Sequence, residues 1–97
     1  MLSKDKILET LHAYKEMHKE QYGIEQIGLF GSYAKDRATE ESDVDVFISL
    51  RHSNLFLLSR IRIELEELLG ISTDIVQIRE RMNTYLKKQI EQEAISA

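Results

Sequence analysis

The sequence predicts a small α/β (α+β) fold, a mixed sheet of three or slightly more strands covered by helices. Three observations predict it. Apolar residues recur at three-and-four spacing in three long stretches, the mark of amphipathic helices. Short β-branched or alternating runs lie between those stretches. The chain has no proline and only four glycines, at 23, 28, 31 and 70, so its few breakers punctuate it clearly.

The elements follow in order. Ile7, Leu8, Leu11, Tyr14 and His18 define a first helix from about Ser3 to Tyr22. Ser3 is its expected N-cap and Gly23 its stop. Ile24 to Phe30 reads as the first strand, ended by Gly31. Residues 32–42 are polar and have room for one short helical turn. Next, Val44, Val46, Ile48 and Leu50 alternate with Asp43, Asp45, Phe47 and Ser49, which makes a strand with two different faces. Asn54 caps a leucine-rich helix through Leu69, closed by Gly70. Ile71 to Ile78 is the third strand. Met82, Leu86, Ile90 and Ala94 mark a last helix, about Arg79 to Ala97. The helix between the second and third strands is long enough for a parallel crossover.

Ninety-seven residues make one domain, 1–97, with one modest core. There are no cysteines, which excludes disulfides, thiolate-bound zinc and thiol catalysis. No run of about 20 apolar residues is present, so no membrane-spanning helix is expected. The N-terminal residues lack an apolar signal core, and a cytoplasmic location is expected. The net charge of -4 argues against direct nucleic-acid binding, which usually needs a basic face.

The chemistry concentrates between residues 31 and 45. Asp43 and Asp45 are two apart on a strand, so both carboxylates point to one side. Such a pair repels itself unless a cation intervenes, and its oxygen donors suit Mg²⁺. Asp74 lies on the third strand. If that strand pairs beside the second, three carboxylates can hold two Mg²⁺ ions as in-line phosphoryl displacement requires. Gly31-Ser32 follows a strand and opens a turn. The glycine permits close approach of the backbone to a phosphate, and the Ser32 hydroxyl adds a donor. Lys35 and Arg37 stand in the same loop, where they can steer phosphate or be solvated cations. Four such residues at fixed spacing arise by chance in about one chain of this length per thousand.

Gly31-Ser32-Tyr33-Ala34-Lys35 followed by Ser42-Asp43-Val44-Asp45-Val46 resembles the signature of the DNA polymerase β-type nucleotidyltransferase superfamily. More narrowly, it resembles the minimal nucleotidyltransferase (MNT) domain proteins. The resemblance implies a polymerase β palm-like fold. It also implies that Gly31, Ser32 and Lys35 contact the triphosphate of ATP, while Asp43 and Asp45 bind two Mg²⁺. Asp74 would share a metal and activate the attacking hydroxyl. Family members often have Arg then Gly after the alanine; here Lys35 and Asp36 stand there. Lys35 keeps the charge without the bidentate fork of an arginine. Larger relatives add a helical domain, and only 23 residues follow Asp74 here. The resemblance therefore implies a partner, a small helical HEPN-domain protein encoded nearby. The MNT member would be the antitoxin, transferring AMP from ATP to a hydroxyl of that toxin within a hetero-oligomer or homo-oligomer.

The alternative is a non-catalytic nucleotide-binding module that neutralises its partner by complex formation. A sugar transferase with an Asp-x-Asp metal site fits poorly, because it needs a larger domain and leaves Gly31-Ser32 unexplained. His12, His18 and His52 lack ligand spacing and read as structural or surface residues. Glu64, Glu66 and Glu67 read as a solvated face; the apolar stripe of the last helix reads as partly core, with Tyr85, Ile90 and Ile95 able to serve a dimer or partner contact.

Overall fold

The computed structural model describes residues 2–79 and 82–97. In chain order the elements are α1 (Lys4–Tyr22), β1 (Ile24–Phe30), β2 (Val44–Leu50), α2 (Leu55–Leu69), β3 (Thr73–Gln77), α3 (Thr84–Glu93) and β4 (Ile95–Ser96). The sheet order is β3-β2-β1-β4. β1 pairs antiparallel with β2 and with β4, whereas β2 and β3 run parallel across α2.

Local chemistry accounts for the helix ends. The Ser3 hydroxyl accepts from the Lys6 N–H, and Gly23 ends α1 at φ 68°, the left-handed region that glycine adopts without penalty. Asn54 accepts from the N–H groups of Phe56 and Leu57 to start α2. The last helix is shorter than expected. Asn83 caps it through the N–H groups of Tyr85 and Leu86, so it starts at Thr84 rather than at Arg79. It ends at Glu93, because Ile95 and Ser96 turn extended and pair with Leu29 and Gly28. Residues 80–81 of the expected helix lie outside the described residues.

The two faces of β2 divide the molecule. Val44, Val46 and Ile48 point into the main core, with Ile27 and Leu29 of β1, Ile7 and Leu11 of α1, and Ile61 and Leu65 of α2. Asp45 and Phe47 point to the opposite face. Phe47 is buried there, and so is Ile90 of α3, both outside the main cluster. Gly28 lies opposite Phe47 in the β1–β2 register, and a Cβ on Gly28 would overlap the Phe47 ring and the Ile95 carbonyl. Ile90 thus belongs to the core part of its helix's apolar stripe, whereas Tyr85 is 79% exposed.

Candidate nucleotidyl-transfer site

Asp45 enters the site from β2 at the end nearest the loop 31–43. Phe30 is its register partner on one side and Asp74 its partner on the other. Registered neighbours in a sheet project to the same face, so β3 brings Asp74 beside Asp45. Asp43 precedes β2 by one residue. A Thr39–Ser42 turn leads into it: the Ser42 N–H donates to the Thr39 carbonyl at 3.0 Å, and the Thr39 N–H donates to Ser42 Oγ at 2.8 Å.

Three carboxylates therefore share one end of the sheet. The Asp45 carboxyl is pushed above the ordinary aspartate range, first by burial and then by the charges of Asp74 and Asp43. None of the three carries an ion pair among the described residues. Nor do any three His, Cys, Asp or Glu side chains among those residues already converge as a metal cage. Asp43 and Asp74 are exposed, while Asp45 is half-buried. The donor set itself, three uncompensated oxygen ligands, fits a hard divalent cation.

Gly31 closes the other side. Its φ is 77°, and a Cβ there would overlap the Asp45 carboxylate. Glycine is therefore required twice over, by conformation and by space. Residues 31–37 form the expected short turn. The Lys35 N–H donates to the Gly31 carbonyl at 3.2 Å, and the Arg37 N–H to the Ser32 carbonyl at 2.8 Å. Tyr33 and Ala34 are buried and anchor the turn in the fold. Asp36 adopts φ 57°. Glycine is usual at this place in the resembled signature, and the left-handed backbone gives the reason. The Asp36 carboxylate accepts from Lys4 Nζ at 2.9 Å, which ties the loop to α1.

The structure adds two residues that the sequence did not place at the site. Glu93 of α3 pairs with Lys35 at 2.9 Å, so this one of the two loop cations is already engaged. Glu66 accepts from the Thr73 N–H at 3.1 Å, and the Thr73 hydroxyl donates to the Ile71 carbonyl at 3.1 Å. These bonds fix the start of β3 and hence the height of Asp74. Glu66 and Glu64 are half-buried, not part of a solvated face; of the trio only Glu67 is exposed. A Glu at a helix end followed by a buried strand start is the one signal that could have found Glu66.

The family profile for the nucleotidyltransferase domain matches residues 11–97. A Methanocaldococcus jannaschii protein described as a candidate protein adenylyltransferase is 37% identical over 98 residues, covering 98% of both chains. The protein adenylyltransferase MntA of Thermococcus cleftensis is 40% identical over 78 residues, 78% of each chain. A solved structure of a candidate minimal nucleotidyltransferase superposes with TM-score 0.71 at 34% identity, covering 91% of this chain and 93% of that one. A chain from the solved complex of tri-AMPylated Shewanella oneidensis HEPN toxin with MNT antitoxin superposes with TM-score 0.71 at 17% identity, over 96% of this chain and 70% of that one, a likeness of fold. The palm-like α/β architecture, the Gly-Ser turn beside an Asp-x-Asp strand and these relatives agree: the chain belongs to the nucleotidyltransferase domain family.

Proposed function

We propose that this chain is a Mg²⁺-dependent protein adenylyltransferase, the antitoxin of a pair whose toxin is a small helical HEPN-domain protein. The observation that carries the reading is the register of β2 with β3, which sets Asp45 beside Asp74 while Gly31 packs on Asp45. The relatives named as protein adenylyltransferases, and the complexes whose fold it shares, support the acceptor class.

Asp43, Asp45 and Asp74 are the residues that would hold Mg²⁺. When bound, the cation offsets the charge of the triphosphate and of the three carboxylates. The backbone at Gly31 and the Ser32 hydroxyl donate hydrogen bonds to the terminal phosphates of ATP. Asp74 orients the acceptor hydroxyl and accepts its proton. The hydroxyl oxygen then bonds to the α-phosphorus as the bond to the bridging oxygen breaks, and pyrophosphate leaves. Most of the acceleration comes from positioning and charge neutralisation. Asp43 and Asp74 are exposed on this face, where the partner's hydroxyl would approach.

The test is a transfer assay with ATP labelled on the α- or the γ-phosphate, Mg²⁺ and the HEPN-domain protein encoded beside this chain. Label from the α-phosphate alone should reach the partner and vanish with Asp43→Asn/Asp45→Asn. Full activity of that double variant overturns the mechanism. A second reading, neutralisation by complex formation alone, is favoured by the Lys35–Glu93 pair, which takes one of the two loop cations from phosphate. A stable inhibitory complex without any label transfer would establish it.

A further inference from the structure

A groove of about 500 Å³ lies between α1 and α2, on the helical side of the sheet. Asp45 points to the other face, so this groove is separate from the nucleotidyl-transfer site. Tyr14, Met17 and His18 form one wall, and Glu64, Glu67 and Leu68 the other.

Its floor carries the Glu64 carboxylate, held by two phenols rather than by a direct ion pair, with Arg60 acting on the cluster only at longer range. The Tyr14 hydroxyl donates to Glu64 Oε1 at 2.7 Å and the Tyr22 hydroxyl at 3.1 Å. Among the described residues no lysine or arginine nitrogen lies within 4.0 Å of Glu64. Burial and the Glu64 contact push the Tyr14 phenol far up, so it stays a neutral donor at ordinary pH. The His18 ring lies 4.5 Å from the Tyr14 ring and stacks on Tyr22 at 4.7 Å, with its Nδ1 buried and unpartnered. At the rim, exposed Glu9 and Glu67 face one cation, Lys6. Met17 and Leu68 flank the opening at 77% and 60% exposure.

We propose that this groove docks a protein partner that inserts a basic side chain, lysine or arginine, between α1 and α2. Its charged head meets Glu64 and Glu67 beside the Tyr14 ring, where a carboxylate and a π face both favour a cation. Its aliphatic stem and the surrounding surface cover Met17 and Leu68. Those two apolar flanks decide for a protein: a free polyamine would satisfy the carboxylates and leave both side chains in water.

The test titrates the full ¹⁵N-labelled chain with an acetylated, amidated helical peptide holding one arginine between leucines one turn away on either side. Amide shifts should cluster at the groove residues and stay unchanged in an Asp45→Asn background. Glu9→Lys/Glu67→Lys, both at exposed positions, should weaken binding by about tenfold or more, and an Arg→Gln peptide should not bind. Met17→Ser/Leu68→Ser should weaken the peptide and leave spermidine unaffected. If the charge reversal disturbs the fold by circular dichroism, Glu67→Gln replaces it, with a smaller loss expected. No shifts with millimolar peptide, equal binding by the charge-reversed chain, or spermidine matching the peptide in site and affinity would each overturn the proposal.

Discussion

Gly31 packs directly on the Asp45 carboxylate, leaving no room for a Cβ between the turn and the strand. One contact thus joins the Gly31-Ser32 turn to the acidic strand. Gly31→Ala must hold a left-handed backbone, about 1–2 kcal/mol unfavourable, and must also displace Asp45. We expect lower stability by at least that amount in urea denaturation, together with lost ATP binding by calorimetry. Unchanged ATP affinity in a folded Gly31→Ala chain would separate the turn from the nucleotide.

Asp45 is held above its ordinary titration range by burial, Asp74 and Asp43. A raised carboxyl favours the protonated form in the fold, so ionised Asp45 opposes folding. That penalty is absent below the unfolded aspartate value, 3.8, and grows as pH rises through the folded one. In the presence of EDTA, Asp45→Asn should therefore raise Tm at pH 7–8, and its advantage should fade towards pH 3. The same variant should abolish transfer. A variant less stable than the parent at pH 7.5 would show that Asp45 is not repelled by its neighbours.

Glu66 sets the height of β3. It accepts from the N–H of Thr73, a residue 1% exposed, and pairs with Arg62 at 3.0 Å. Glu66→Ala leaves a buried N–H without an acceptor, which costs about 1–3 kcal/mol. Because Asp74 is the next residue, transfer should fall more than folding alone predicts. Glu66→Gln keeps an acceptor oxygen and should recover most of both. Full activity of Glu66→Ala in the folded chain would show that β3 holds Asp74 without this bond.

Most of the framework was legible because its signals are local. Ser3, Gly23, Asn54 and Gly70 each stop or start a helix by their own conformation and hydrogen bonding. The Val44–Leu50 alternation gave both the strand and the facing of Asp45. What escaped the reading depends on distant partners. Ile95 and Ser96 become a strand only because β1 offers an unpaired edge, and two residues carry no periodicity. The apolar spacing of Met82 to Ala94 looked like one long helix, yet the Asn83 cap moves its start and β4 takes its end. Along the helix Ile90 fits either core or a partner contact, and the second sheet face, with Phe47 lying over Gly28, decides for core. Glu93 gave no local signal; it acquires meaning when the fold places it against Lys35, 58 residues earlier in the chain.

The Lys35–Glu93 pair makes the sharpest prediction. In the free chain the Lys35 ammonium is held at 2.9 Å from Glu93, at about one-third exposure on both sides. A partly exposed pair contributes little to stability, typically below about 1 kcal/mol. Its effect on phosphate is larger, because a triphosphate must compete with Glu93 for the same cation. Glu93→Gln frees Lys35 to meet the phosphates, so ATP should bind several-fold tighter with folding nearly unchanged. Lys35→Ala should weaken ATP in the parent, and the double variant should match Lys35→Ala, since Glu93 acts through Lys35. Calorimetric titration of ATP into the four chains completes this cycle. Equal affinities for the parent and Glu93→Gln would mean that Lys35 never reaches the phosphates and serves only to tie the loop to α3.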